Sequence, residues 1–435
     1  MNLLHYRQMR LFSLDRILIL ALALTASTAL ANKAQPTFSE DVADIIFNNC
    51  TECHRPGQVA PFALLSYNDV RKKGQTIARV VESEFMPPWK ADQGIGKFHN
   101  ERRLSPEEIA TVKKWVELGM PEGDASQTPA PPSFSSEWAL GAPDQIFKPD
   151  QAYTLGVEGG DEYRCFVIPT GFKKNMFIKA VEMRPGNRSI VHHVIAFIDP
   201  RLEGRKRDAE TPEPGYISFG GPGVKGADWL AGWAPGNNPR YLPQGVGKLV
   251  PAGADLILQV HYHRSGKPET DLTEFGVYFA DEQITHRARI HGISDNQLNI
   301  PAGNANYKAG ANHTLESDIT IFEISPHMHL LGKSMEVNAT LPDGKTIPMI
   351  RISKWDFNWQ LPYIYEAPLK LPAGTQIKMK AVYDNSANNP ANPFDPPQVI
   401  RRGEETTDEM CIAFFTYIED KKRINKKKRL SKNEQ

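Results

Sequence analysis

Between residues 37 and 119 the apolar positions recur at intervals of three and four. In FSEDVADIIFNNC, 38–50, Val42, Ile45, Ile46 and Cys50 fall on one helical face. LSPEEIATVKKWVELG, 104–119, opens with Ser105 as an N-cap and Pro106 at the first helical position. It then sets Ile109, Val112, Trp115 and Val116 on one side and stops at Gly119. Residues 37–123 therefore read as a small all-α domain. DASQTPAPPSFSSE, 124–137, has no period and is rich in Pro and Ser, which makes it a linker. From 138 onward the period shortens. MFIKAVEM, IVHHVIAFI, DLILQVHYH, EFGVYFA, DITIFEIS, SMEVNATL, QIKMKAVYD and CIAFFTYI are short β-rich runs separated by Gly, Pro, Asn and Asp. Many short strands with turn signals predict antiparallel sandwiches or barrels. Roughly 280 residues exceed one sandwich, so two are expected, at 138–285 and 286–420. The predicted fold is mainly β: two antiparallel β-sandwich, jelly-roll-like domains after the all-α segment.

The first residues change the picture of where the chain works. Basic residues up to Arg16 precede an apolar run at 17–24, and Ala29 and Ala31 offer small residues for cleavage after Ala31. The run is too short to span a bilayer, so residues 1–31 read as a signal peptide and the mature chain as periplasmic or secreted, without a membrane span. The 51 basic and 51 acidic residues cancel, leaving no general basic footprint for nucleic acid. Only the tail 421–435 is lopsided, with eight Lys or Arg, and it reads as solvated and disordered.

CTECH, 50–54, is Cys-x-x-Cys-His near the end of a predicted helix. Two thiols at this spacing can form thioethers to the vinyl groups of a haem, with His54 as axial ligand to the iron. A redox Cys-x-x-Cys needs no following His and usually sits beside a βαβ pattern, which is missing here. Cys50, Cys53 and His54 are thus assigned to covalently attached haem c, and the segment resembles small cytochromes c. Met86, in EFMPPWKAD ahead of the last helix, is the preferred sixth ligand, and Met120 is its competitor. A thioether there would raise the reduction potential. Cys165 and Cys411 remain, either bridged or as two thiols.

The twelve histidines are clustered. His327 and His329, two apart on a strand, share a face and can close on one metal. His192 and His193 are adjacent, so they can share a metal only where the strand is bulged, twisted or ending.

SIVHHV, LILQVHYH, ISPHMHLLGK and TTDEMCIAFFTYI together resemble, in order and approximate spacing, the copper type II ascorbate-dependent monooxygenases. The likeness covers roughly 160–420 and leaves the haem segment outside. It implies two β-sandwiches facing each other across an open, water-filled cleft, each carrying one copper. Carried over residue by residue, it implies that His192, His193 and His261 bind the electron-transferring copper. His327, His329 and Met410 would bind the copper where dioxygen is activated. Imidazole suits copper in both oxidation states and a thioether favours Cu(I), whereas zinc seldom recruits Met. Gln259, on the face of His261, is a candidate second-layer partner, and His263 is left as a non-ligand. His286, His291 and His313 read as surface residues.

Departures from the family narrow the function. Ser325, Ile412 and Phe414 stand where the peptide-processing member has an Arg, an Asn and a Tyr that hold a carboxylate. Peptide amidation is therefore not expected, and a neutral or aromatic small molecule is. Cys411 faces an expected partner position occupied by Ala381, so the animal disulfide is not expected. The fused haem segment suggests a built-in path by which electrons from an external donor, a reductant or a periplasmic carrier, reach two copper ions. Those ions would hydroxylate a C–H bond with O2. A non-catalytic copper and haem electron carrier is the alternative, and it would tolerate loss of Met410 better than loss of haem. A hydrolase or lyase using another metal is a third reading, against which Met410 speaks.

Overall fold

The computed structural model describes residues 35–424 apart from 59, 100 and 135–137. The expected signal peptide and residues 425–435 of the basic tail lie outside the described residues. The chain forms two compact units. One takes residues up to 52 with 63–87 and 104–132, and the other takes 53–62, 88–103 and everything from 133.

The first unit is helical. Ala43–Asn49, Tyr67–Glu82 and Pro106–Glu117 are α-helices. The last has the full capping box: Ser105 Oγ accepts from Glu108 N–H while the Glu108 carboxylate accepts from Ser105 N–H. Trp115 and Phe38 are wholly buried, and the Phe38 ring meets those of Phe47, Tyr67 and Trp115. The expected helical domain at 37–123 is thus interrupted. Residues 88–103, which carry no helical period, belong to the β unit, where Ala91 and Phe98 enter a core and Phe98 pairs with Tyr365. Asp92 fastens the same stretch by accepting from Arg351 Nε and Ser353 N–H.

The second unit is built of antiparallel sheets in two pairs. In the first pair, one sheet runs Tyr216–Ile217, Glu162–Pro169, Asp255–Tyr262, Val191–Asp199, Asp228–Trp233 in spatial order. The facing sheet runs Gln145–Phe147, Glu274–Phe279, Met176–Arg184, Val246–Val250, closed by a short parallel strand His286–Arg287. Phe166, Val194, Leu230 and Leu256 from one sheet and Phe147, Ile178, Val250 and Phe275 from the other share a single core. Alternation along the strands then sends Cys165, Phe197, Ile257, Gln259 and His261 to the opposite face of the first sheet.

The second pair repeats the plan. Arg289–Ser294, Ile412–Glu419, Ile319–His327 and Tyr363–Leu371 form one sheet. Tyr307–Thr314, Gln376–Tyr383, Gly332–Thr340 and Thr346–Ile352 form the other. Ile321, Ile324, Ala413 and Phe415 meet Val337, Ile350 and Met379 between them. Ile412, Phe414 and Thr416 therefore face away from that core. Cys165 lies in a small cluster with Phe197, Tyr216 and Ile257, while Cys411 lies in the second core, which also holds Ala381. Neither forms a disulfide. No helix among the described residues is long and apolar enough to cross a membrane.

Candidate metal centres

The strand Val191–Asp199 is irregular where two adjacent histidines require it to be. Val191 pairs with Tyr262 and His193 with His261, so His192 is an extra residue without a partner across the ladder. Such a bulge re-aims one side chain, and here it brings both neighbours to one point. His192 Nδ1 lies 3.3 Å from His193 Nδ1 and 3.2 Å from His261 Nδ1, and His261 and His193 are 3.2 Å apart by the same atoms.

The environment of His261 decides its tautomer. Its Nε2 lies 2.8 Å from Asp161 Oδ2, and the other carboxylate oxygen is 2.8 Å from His263 Nδ1. The carboxylate can only accept, so His261 carries its proton on Nε2 and presents a lone pair at Nδ1. Burial opposes ionisation of Asp161, but the bonds from His261 and His263 hold its carboxyl below the usual range. Tyr163 covers the imidazole face, its ring stacked at 4.1 Å and 11°. Burial, then the neighbouring His261, lowers His192 to about 4 and pushes His193 well down. Imidazoles converging on one point are the donor set that copper or zinc takes, and the site fits such an ion.

His327 and His329 form a second cluster, with ring centroids 5.2 Å apart. At His327 the free atom is the other nitrogen. His327 Nδ1 donates to Gln360 Oε1, which leaves its Nε2 lone pair, while His329 Nδ1 lies 3.1 Å from the Asp408 carbonyl and its ring also meets the Glu405 carbonyl. Burial, then His329, lowers His327 to about 3. The strand pairing ends at His327–Ile412, just short of His329 and Met410.

Glu409 ties these two segments together. Its side chain is fully buried, and its carboxylate accepts from His329 N–H at 2.8 Å, Leu331 N–H at 2.6 Å and Met410 N–H at 3.1 Å. Burial lifts the carboxyl to about 8 against the pull of these donors. Every partner is a donor, so only the ionised form satisfies them all, and we assign the carboxylate. Met328, between the histidines, points into the core as expected.

Where the resemblance implies an open gap, the structure places a ring. Phe357 lies 5.9 Å from His192, nearly parallel at 18°, and 6.1 Å from His329, edge-on. Beside His327, the Phe414 ring at 6.3 Å meets Trp229 of the first sheet at 4.9 Å. Arg240, in the loop after Asp228–Trp233, forms an ion pair at 2.6 Å with Glu323 of the second sheet pair. Ser325 sits across the ladder from Phe414.

Other expected residues fall elsewhere. Gln259 donates to Ser218 and Gly221 carbonyls and so holds a loop, with no bond to a ligand histidine. His286 sits at a strand end, and His291 and His313 form a pair with rings 5.3 Å apart. In the haem motif, Cys50 is the C-cap of Ala43–Asn49, and His54 Nδ1 donates to the Phe62 carbonyl at 3.2 Å, leaving Nε2 open. The Met120 sulfur packs over Gly74 near Trp115. Asp161, Tyr163, Gln360, Phe357 and Glu409 are absent from the sequence reading. Only Glu409, next to Met410 in DEMC, carries a local signal.

Residues 292–433 match the family described as copper type II ascorbate-dependent monooxygenase, C-terminal domain. The matched span holds His327, His329 and Met410. No curated protein matches the chain. Among solved structures, the chain is similar to the major capsid protein P2 from bacteriophage PM2, at 7% identity over 65% of this chain and 98% of that one, TM-score 0.24. It is similar to PNGF-II at 11% identity over 62% of this chain and 65% of that one, TM-score 0.27. It is also similar to a protein of Bacteroides ovatus described as a putative α-L-fucosidase, at 8% identity, covering 69% of this chain and 43% of that one, TM-score 0.18. Scores this low carry no weight for what the chain does.

Proposed function

We propose that the chain is a copper-dependent monooxygenase that hydroxylates a C–H bond of a small, neutral organic substrate with O2. Electrons come from an external donor through haem attached at Cys50 and Cys53, and the protein works in the periplasm or outside the cell. The observation that carries the reading is the convergence of three Nδ1 atoms at a bulge, in the same unit as a second His–His–Met set inside the family match. His192, His193 and His261 hold one copper, and His327, His329 and Met410 hold the other. Bound copper supplies one-electron storage at the first set and O2 activation at the second.

The chain's own residues prepare both sets. Asp161 fixes the His261 tautomer, while Gln360 fixes the opposite tautomer at His327. Phe414 and Trp229 present an apolar wall beside His327, which favours an uncharged substrate over a carboxylate. Support for haem is the His54 bond to Phe62, which orients the ring and leaves Nε2 for iron. Met86 remains the preferred sixth ligand over Met120, whose sulfur lies over Gly74 beside Trp115, which supports that preference.

The test is metal and haem content of the purified protein, alongside Met410→Ala. Two coppers and one haem iron, with one copper weakened in the variant, bear the reading out. Zinc in both sets, or a second copper indifferent to Met410, overturns it.

A further inference from the structure

One buried indole close to the His327 cluster has a hydrogen-bond donor and nothing to give it to. Among the described residues, Trp229 Nε1 is buried and has no hydrogen-bond partner. Buried indoles ordinarily find an acceptor, because a donor left unpaired away from water is costly. The ring itself is well held. Trp229 pairs across the ladder with Phe197, whose ring is 6.2 Å away, and it meets the Phe414 ring at 4.9 Å and 70°. Gly232 leaves space at the indole edge, since a Cβ there would sit 3.7 Å from Nε1.

Phe414 links this donor to the metal site. Its ring lies 6.3 Å from His327 and 4.9 Å from Trp229, so those two rings are no more than about 11 Å apart. A molecule about the size of a substituted phenyl ring, laid along Phe414, reaches both ends. The charged groups around Trp229 already have partners. Asp228 pairs with Arg287, Glu323 pairs with Arg240 and accepts from the Thr416 hydroxyl, and Lys248 donates to the Leu230 carbonyl. A single neutral N–H on an apolar wall suits an uncharged acceptor, because it does not compensate the desolvation of a carboxylate.

We propose that Trp229 Nε1 is a substrate-binding donor. Its ligand is a neutral, mostly apolar molecule with a carbonyl or ether oxygen about one ring's length from the end that lies at His327. The inference rests on the monooxygenase reading, with copper at His327, His329 and Met410, and adds the functional group by which the substrate is held.

The experiment titrates the full chain, reduced and free of O2 so that nothing turns over, with acetophenone or with α-methylstyrene. The second compound replaces C=O by C=CH2 at nearly the same size. Binding is followed by calorimetry and by the indole N–H signals in NMR, the Trp229 signal being the one lost in Trp229→Phe. Acetophenone should bind ~10-fold tighter than α-methylstyrene and move the Trp229 signal downfield, while α-methylstyrene leaves it in place. Trp229→Phe keeps an aromatic ring against Phe414 and should bring the ratio of the two affinities to ~1, whereas loss of a merely structural Trp229 would lower both affinities together. Gly232→Ala fills the space at the indole edge and should weaken acetophenone binding with the Trp229 signal still present. Benzoate should bind more weakly than acetophenone. A Trp229 signal that acetophenone does not move, a ratio unchanged in Trp229→Phe, tighter binding of benzoate, or no binding of either neutral compound overturns the proposal. A chain without copper at His327, His329 and Met410 sinks the parent reading instead, and metal analysis of the same sample tells the two failures apart.

Discussion

Glu409→Gln separates two assignments of one buried carboxyl. Burial favours the neutral acid, and three backbone N–H donors favour the carboxylate. Oε2 serves both His329 and Met410, so a glutamine would keep its oxygen there and turn its NH2 toward Leu331 N–H. If Glu409 is ionised, the variant loses one charge-assisted bond, about 1.5–3 kcal/mol, and strands a buried donor, a further 1–3 kcal/mol or so. The expected loss is about 3–5 kcal/mol, a large part of a typical folding free energy. If Glu409 is protonated, it already offers one acceptor and one donor, as glutamine does, and the loss should stay under about 1 kcal/mol. Urea denaturation of the copper-free variant at pH 7.5 reads the difference. Copper titration of the same variant should show weakening confined to the His327–His329–Met410 set. A stability within about 1 kcal/mol of the parent, with both coppers bound as before, refutes the clamp.

Asp161→Asn leaves His261 its hydrogen-bonding partner but removes the charge. Copper affinity at the three-histidine set should drop ~10- to 100-fold by competitive titration, and an unchanged affinity would mean the carboxylate does not tune that site. In the copper-free chain, His192 and His327 stay neutral down to about 4 and about 3, while unfolded histidines protonate near pH 6.5. Their lowered values contribute stability that is present above pH 6.5 and lost as pH falls. Between pH 6.5 and 5 the loss is about 2 kcal/mol per histidine, so the urea midpoint must drop over that range. Burial pushes both the Cys165 and Cys411 thiols up to about 12, so iodoacetamide should label neither in the folded chain and both in denaturant. Mass spectrometry that finds them bridged would contradict the two separate cores.

Local signals in the sequence reach as far as neighbours along the chain. The alternating runs from MFIKAVEM to CIAFFTYI lie in strands because a period of two needs only the strand itself. Adjacent His192 and His193 predicted an irregular strand, and the bulge is there. Asp161 was out of reach: it meets His261 from 100 positions away, through a strand pairing that periodicity cannot register. Phe357 and Gln360 were missed for the same reason, since loops carry no period. Residues 88–103 misled in the other direction. They lie between two helices in sequence, yet Ala91 and Phe98 are apolar enough to be drawn into the second β core. Gln259 shares the face of His261, but a face does not specify a partner, and its amide turned to the 218–221 loop.

The fault in the ladder at His192 also makes the site genetically separable from the fold. Deleting that one codon would let Val191 and His193 follow each other opposite Tyr262 and His261, with every later pairing of the strand unchanged. The sheet would close over the loss as a regular one, keeping two histidines where three had met. A lineage could therefore shed or regain the three-histidine cluster through a single in-frame indel without dismantling the sheet.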